Sequence, residues 1–136
     1  MDTRIHTQIC FLIDDDEDDR EIFGLAMAQV DHSIYCTFAA DGIEGLSRLA
    51  SDHSFVPDHI FIDMNMPRMN GLRCLEEIRK LSHLSEVPVY MYSTSSNDRS
   101  ISETKALGAT GFIVKPSSLA DLIGILAGLV QKTVHG

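Results

Sequence analysis

Short apolar runs alternate along the chain with longer segments whose apolar residues recur at helical spacing. The short runs are rich in Ile, Val, Phe and Tyr, and most of them lack a regular polar alternation. They are QICFLI (8–13), IYCTFA (34–39), HIFI (59–62), VPVYMY (87–92) and GFIV (111–114). Continuous apolar strands are typical of parallel sheets covered on both faces. The pattern therefore predicts five parallel strands.

Helical patterns fill the intervals between these runs. They predict helices at about Asp18–Gln29, Gly42–Ser51, Leu72–Leu81 and Asp98–Leu107, and a fifth helix from about Ser118. Strands that alternate with helices indicate an α/β domain built on a parallel sheet.

The last helix carries two local signals. Ser118 is followed three residues later by Asp121, a spacing that marks a helix start. Gly124 and Gly128 form a G-x-x-x-G pattern, which we interpret as a site of close helix packing.

Polar residues follow four of the predicted strands. Asp14 and Asp15 end the first strand, Asp63 the third, Ser93 the fourth and Lys115 the fifth. Ligands of open parallel sheets bind beyond the carboxyl ends of the strands. Mg²⁺ prefers oxygen ligands and shares its coordination shell with phosphate oxygens. A hydroxyl and an ammonium can bind phosphoryl oxygens, and an aspartate can be the nucleophile. Together these residue types favour magnesium-assisted phosphoryl chemistry.

Six consecutive acids, Asp14 to Asp19, directly follow the first strand. We assign Asp14 and Asp15 to a metal site and Asp16–Asp19 to a solvated helix start, where acids interact favourably with the helix dipole. A calcium-binding loop that begins at Asp14 is excluded, because its sixth position is Asp19 rather than Gly and its twelfth is Leu25 rather than Glu.

Composition narrows the class of protein. The 136 residues suit one domain, and the net charge of -9 argues against nucleic acid as a ligand. No stretch has the pattern of a secretory signal or a membrane span. The three cysteines form no C-x-x-C pair, and the six histidines show no zinc-ligand spacing. We therefore expect a cytoplasmic protein with reduced thiols and no contact with membranes.

Four stretches carry a family resemblance: FLIDDD, FIDMNMPRMNGL, PVYMYSTSS and GATGFIVKP. In this order the sequence resembles the receiver domain of two-component response regulators over nearly its whole length. The resemblance implies a flavodoxin-like, doubly wound five-stranded parallel sheet in the order 2-1-3-4-5 with five helices. It also implies a single receiver domain over residues 1–136, with a core at about 8–132 and no output domain.

The resemblance also implies roles for individual residues. Asp63 would be the phosphoacceptor, and Asp14 and Asp15 would organise Mg²⁺ together with it. Asn65 would give its backbone carbonyl to the metal. Ser93 would bond a phosphoryl oxygen and act in the switch that reports phosphorylation.

Three further positions follow from the same resemblance. Lys115 would pair with the Asp63 carboxylate and then with the phosphoryl group. Phe112 occupies the position of the switch aromatic, but it has no hydroxyl, so any signal through it must be packing. The Lys115–Pro116 bond is expected to be cis.

The implied function is that of a signalling module. A histidine kinase or phosphotransfer protein would donate a phosphoryl group to Asp63 in a Mg²⁺-dependent reaction. The phosphorylated protein, a monomer or weak homodimer, would contact an unknown downstream protein through helix four, strand five and helix five. Its only catalysis would be its own phosphorylation and dephosphorylation.

Two alternatives remain. An aspartyl phosphatase of the haloacid-dehalogenase kind also uses Asp, a hydroxyl, Lys and Mg²⁺, although here the acidic pair precedes the nucleophile and Asn65 replaces its second Asp. A degenerate receiver would act without phosphorylation, which the full set of polar residues disfavours.

Overall fold

Eleven elements follow one another along the part of the chain that the computed structural model describes, residues 8–134, with side chains through residue 130. They are β1 (Ile9–Ile13), α1 (Glu17–Val30), β2 (Tyr35–Ala39), α2 (Gly42–Ser51), β3 (His59–Asp63), α3 (Gly71–Ile78), a 3₁₀ helix (Ser82–Leu84), β4 (Val89–Ser93), α4 (Asp98–Ala106), β5 (Gly111–Val114) and α5 (Leu119–Val134). The strands form one parallel sheet in the order β2-β1-β3-β4-β5. The predicted flavodoxin-like order is confirmed.

The core consists of two apolar layers, one on each face of the sheet. Successive residues of a strand point to opposite faces, so Phe11 and Ile13 lie in one layer and Cys10 and Leu12 in the other. The first layer is completed by residues of α2 and α3: Leu49, Cys74, Leu75 and Ile78. The second is completed by residues of α1 and α5: Phe23, Ala26, Met27, Leu122, Leu126 and Val130. Burial on both faces explains why the strands have continuous apolar sequences.

Polar side chains begin the helices at the carboxyl edge of the sheet. Asp16, Asp41, Asn70 and Asn97 each accept hydrogen bonds from backbone N–H groups in the first turn of α1, α2, α3 and α4. Ser118 does the same for α5, because its hydroxyl accepts a hydrogen bond from the Asp121 N–H at 3.1 Å. The predicted start of the last helix is therefore confirmed.

The G-x-x-x-G pattern of α5 does not pack against another helix within the described residues. A Cβ built on Gly124 or Gly128 would meet no heavy atom within 4 Å, and both residues are exposed. The helix instead packs through Leu122, Leu126 and Val130, which are buried with residues of α1. The packing interpretation was wrong, because the two glycines lie on the solvent side of an amphipathic helix.

Within residues 8–134, none of the helices combines the length and the apolar character that crossing a lipid bilayer requires.

Candidate functional site

The carboxyl edge of the sheet brings the predicted polar residues together. Asp14 directly follows β1, Asp63 and Ser93 are the last residues of β3 and β4, and Lys115 directly follows β5. Because β1, β3 and β4 are neighbours and all strands are parallel, these positions meet at one edge. The convergence that the sequence predicted is confirmed.

Three carboxylates form a cluster suited to a metal ion. One oxygen each from Asp14, Asp15 and Asp63 lies within 4.8 Å of the other two. Asp14 is fully buried and Asp63 is 6% exposed, whereas Asp15 faces solvent. Oxygen ligands of this kind fit Mg²⁺, which keeps several waters and so needs an open side to its site.

Burial and mutual repulsion raise the pKa values of the two buried carboxyls, Asp14 and Asp63. The pKa of Asp63 is raised to about 7, first by burial and then by the nearby charge of Asp14. The pKa of Asp14 is also raised, chiefly by burial, although the N–H of Asp16 and the charge of Lys115 oppose the shift. A cation bound between the carboxylates would favour their ionised forms, so metal binding and proton release from Asp63 are linked.

Lys115 is the cation of the site, and three carboxylates share it. Its Nζ lies 2.6 Å from Oδ2 of Asp19, 3.1 Å from Oδ2 of Asp14 and 3.7 Å from Oδ1 of Asp63. Burial lowers the pKa of Lys115, but the hydrogen bond to Asp19 and the charges of Asp14 and Asp63 outweigh it, so the pKa is raised. The ammonium is therefore charged, and Asp63 is the most distant of its three partners.

Asp19 corrects one prediction. Asp16, Glu17 and Asp18 are exposed, as expected of a solvated helix start, but Asp19 is half-buried and paired with Lys115. The sequence contained an indication that Asp19 faces the sheet. Asp19 precedes Phe23 by four residues and therefore shares its face of α1. Phe23 is fully buried against the sheet. Because six acids follow one another, the sequence shows no contrast between the side of α1 that faces the sheet and the side that faces solvent.

The Lys115–Pro116 bond corrects a second prediction. No peptide bond among residues 8–134 is cis, so this one is trans. The amide before proline favours trans by only about 0.5–1 kcal/mol, and trans is the common form in folded proteins. The backbone of Lys115 is fixed to the end of β4 by a hydrogen bond, in which its N–H donates to the Ser93 carbonyl at 2.6 Å.

The remaining predicted residues fall in two places. Asn65 lies at the site, and its N–H donates to Oδ1 of Asp63 at 3.3 Å. Ser93 is buried at the end of β4, and its hydroxyl accepts a hydrogen bond from the N–H of Ser95 at 3.3 Å. Phe112 lies elsewhere, in a separate cavity of about 160 Å³ between β5 and α4.

An open cavity of about 500 Å³ covers the carboxylates. Its lining residues are Asp15, Asp16, Asp19, Asp63, Asn65, Thr94 and Lys115. The cavity is polar, carries four carboxylates and one ammonium, and has room for a hydrated cation beside an anionic group. Its chemistry suits binding of a metal and a phosphoryl group at Asp63.

Comparison with known proteins agrees with this geometry. The family model for the response regulator receiver domain matches residues 10–127. The chain belongs to this family. Receiver domains are signalling domains rather than conventional enzymes, so membership argues against the phosphatase alternative.

Individual relatives are similar along most of the chain. The crystal structure of the phosphorylated cyanobacterial phytochrome response regulator RcpA has a TM-score of 0.83 at 27% identity, with 93% of each chain covered. Chemotaxis protein CheY4 of Vibrio cholerae has a TM-score of 0.79 at 27% identity, with 91% of this chain and 99% of that chain covered.

A curated relative, the sensory/regulatory protein RpfC of Xanthomonas campestris, is 27% identical over 132 residues. That match includes 96% of this chain but only 18% of RpfC. The regulator of RpoS of Escherichia coli is 38% identical over 78 residues, which make up 57% of this chain and 22% of that protein. The matched residues thus make up about a fifth of the length of each of these two relatives.

Proposed function

We propose that this receiver domain accepts a phosphoryl group on Asp63 from a phosphohistidine of a histidine kinase or phosphotransfer protein, in a reaction that requires Mg²⁺. The observation that carries the proposal is the position of Asp63. Its carboxylate lines the open cavity, within 4.8 Å of carboxylate oxygens of Asp14 and Asp15 and 3.7 Å from the Lys115 ammonium.

The proposed reaction uses these positions. A carboxylate oxygen of Asp63 attacks phosphorus, a new O–P bond forms, the P–N bond breaks, and the histidine nitrogen leaves with the electron pair. Asp14, Asp15, Asp63 and the backbone carbonyl of Asn65 would hold Mg²⁺, which supplies charge neutralisation during transfer. Lys115 and the hydroxyl of Ser93 would then bind phosphoryl oxygens on the product.

We further propose that the output is a change in protein contacts. An acyl phosphate at Asp63 would bias a two-state equilibrium of the surface formed by α4, β5 and α5. Three large apolar side chains of this surface are exposed, Ile101 by 39%, Val114 by 44% and Leu119 by 44%. These side chains would be available for contact with a protein partner.

The test is the intact mass of the protein after incubation with a small acyl phosphate or phosphoramidate, whose P–N bond resembles that of phosphohistidine. We expect a Mg²⁺-dependent gain of one phosphoryl group, which is absent in Asp63→Asn and retained in Asp18→Asn. An adduct that persists in Asp63→Asn would refute the assignment of the acceptor. A protein that binds no Mg²⁺ and gains no mass from either donor would favour the degenerate receiver.

A further inference from the structure

The Lys115 ammonium lies on the α1 side of the site. It is 1.1 Å closer to Asp19 than to Asp63, since the two distances are 2.6 Å and 3.7 Å. Its Nζ also lies 5.0 Å from the centre of the Tyr92 ring, within range of a cation–π interaction. The residue expected to bind the phosphoryl group is therefore held mainly by a residue of α1.

The fold fixes both partners of this ion pair, Asp19 and Lys115. Asp19 is one turn before the buried Phe23, which fixes its direction toward the sheet. Lys115 is tethered by the hydrogen bond between its N–H and the Ser93 carbonyl. The side chains are 30% and 10% exposed, so solvent screens their attraction less than that of a surface pair.

We propose that Asp19 is a positioning residue that holds the Lys115 ammonium beside α1 and limits its pairing with Asp63 and with a phosphoryl group there. The proposal rests on the function proposed above. Asp19 acts through Lys115, and it competes for the ammonium with whatever anion Asp63 carries.

Loss of the Asp19 charge should have opposite effects on two ligands of the site. In Asp19→Asn, Lys115 keeps Asp14 and Asp63 as anionic partners and shifts toward Asp63. There it competes with a divalent cation for the carboxylate, so Mg²⁺ binding weakens. A phosphoryl-like anion at Asp63 gains the released ammonium and loses a nearby negative charge, so its binding tightens.

Loss of any negative charge near the site would also weaken Mg²⁺ binding and tighten anion binding. Asp18 provides the matched control for this general effect. Asp18 lies in the same turn of α1 and carries the same charge, but it is exposed. A second control is the Lys115→Met background, where Asp19 has no ammonium to hold. Comparison of the two backgrounds isolates the part of the effect that passes through Lys115.

The experiment measures Mg²⁺ binding by calorimetry and then Mg²⁺-dependent binding of beryllium fluoride, a phosphoryl mimic, by fluorine NMR. For Asp19→Asn we expect Mg²⁺ affinity to fall roughly threefold and beryllium fluoride affinity to rise roughly three- to tenfold, the range that one partly buried ion pair supplies. Asp18→Asn should change each affinity by less than about twofold, because its charge is solvated. In Lys115→Met, the effect of Asp19→Asn should shrink to the direct effect of the lost Asp19 charge, since Asp19 lines the cavity.

Two results would overturn the inference while the proposed function stands. One is a wild type that binds both ligands and an Asp19→Asn variant that matches Asp18→Asn. The other is an effect of Asp19→Asn that is equally large in the Lys115→Met background. A wild type that binds neither ligand would instead reject the proposed function, and this inference with it.

Discussion

Replacement of Asp63 by Asn should stabilise the metal-free protein. Asp63 is 6% exposed and its charge faces that of Asp14, and these two effects raise its pKa to about 7. Asn has nearly the same shape but no charge. Lys115 keeps its closer partners Asp19 and Asp14 in the variant, so the substitution leaves no unpaired ammonium.

The size of the effect follows from the pKa. An unfolded aspartate has a pKa of about 3.9, so a folded value of about 7 means that ionised Asp63 opposes folding by about 4 kcal/mol. The folded state binds the proton more tightly, so this cost is absent below about pH 4, grows as pH rises, and is complete above about pH 7. It is about 2 kcal/mol at about pH 5.5 and about 4 kcal/mol at about pH 8.5, as upper limits.

Urea unfolding in EDTA at about pH 5.5 and about pH 8.5 tests this prediction. The free energy of unfolding falls by about 2 kcal/mol per molar urea, so the midpoint of Asp63→Asn should exceed that of the wild type by up to about 1 M at the lower pH and up to about 2 M at the higher. Asp18→Asn, which removes an exposed charge, should show no such gain. A variant that is less stable than the wild type at the higher pH, or a gain that does not change with pH, would refute the reasoning.

Four further predictions concern metal binding, two glycines and the cysteines. Saturation with Mg²⁺ at a hundred times its dissociation constant should stabilise the wild type by about 2.7 kcal/mol, and a melting temperature equally raised in Asp14→Asn would contradict the metal site. Gly71→Ala should cost about 1–3 kcal/mol in urea unfolding, because its Cβ would overlap the carbonyl oxygen of Asp63. In contrast, Gly124→Ala should gain about 0.5–1 kcal/mol, since its Cβ has open space in a helix. Burial raises the pKa of the Cys36 thiol to about 11 and also raises the pKa values of the Cys10 and Cys74 thiols, so all three are protonated at neutral pH. A disulfide reagent at neutral pH should therefore react slowly with the folded protein and rapidly in denaturing urea.

The five parallel strands could be predicted because their signals are local, whereas their order was implied by the resemblance to receiver domains. Each strand is buried on both faces, so its sequence is continuously apolar. The strands are parallel, so residues at their carboxyl ends must meet at one edge. That rule places Asp14, Asp63 and Lys115 on one edge, and the strand order brings them together from sequence separations of up to 101 residues.

Other features depended on how neighbouring elements pack. The sequence placed Asp19 among solvated acids, but the docking of α1 against the sheet turns it toward Lys115. Gly124 and Gly128 have the spacing of a packing motif, yet α5 lies with that side toward solvent. The Lys115–Pro116 bond is trans, although the resemblance implied cis. For Asp19 and for the two glycines the local pattern fits two arrangements, and contacts distant in sequence select one.

The amino-acid sequence by itself determined the alternating strands and helices, the parallel character of the sheet and the identity of the groups at the carboxyl edge, because apolar periodicity and the residues that end each strand are properties of single segments. Only the tertiary structure decided which carboxylate holds the lysine and how far the pKa of Asp63 rises. Those quantities depend on distances of a few ångströms and on burial. Both arise when α1, β3 and β5 pack together, and no single segment contains them.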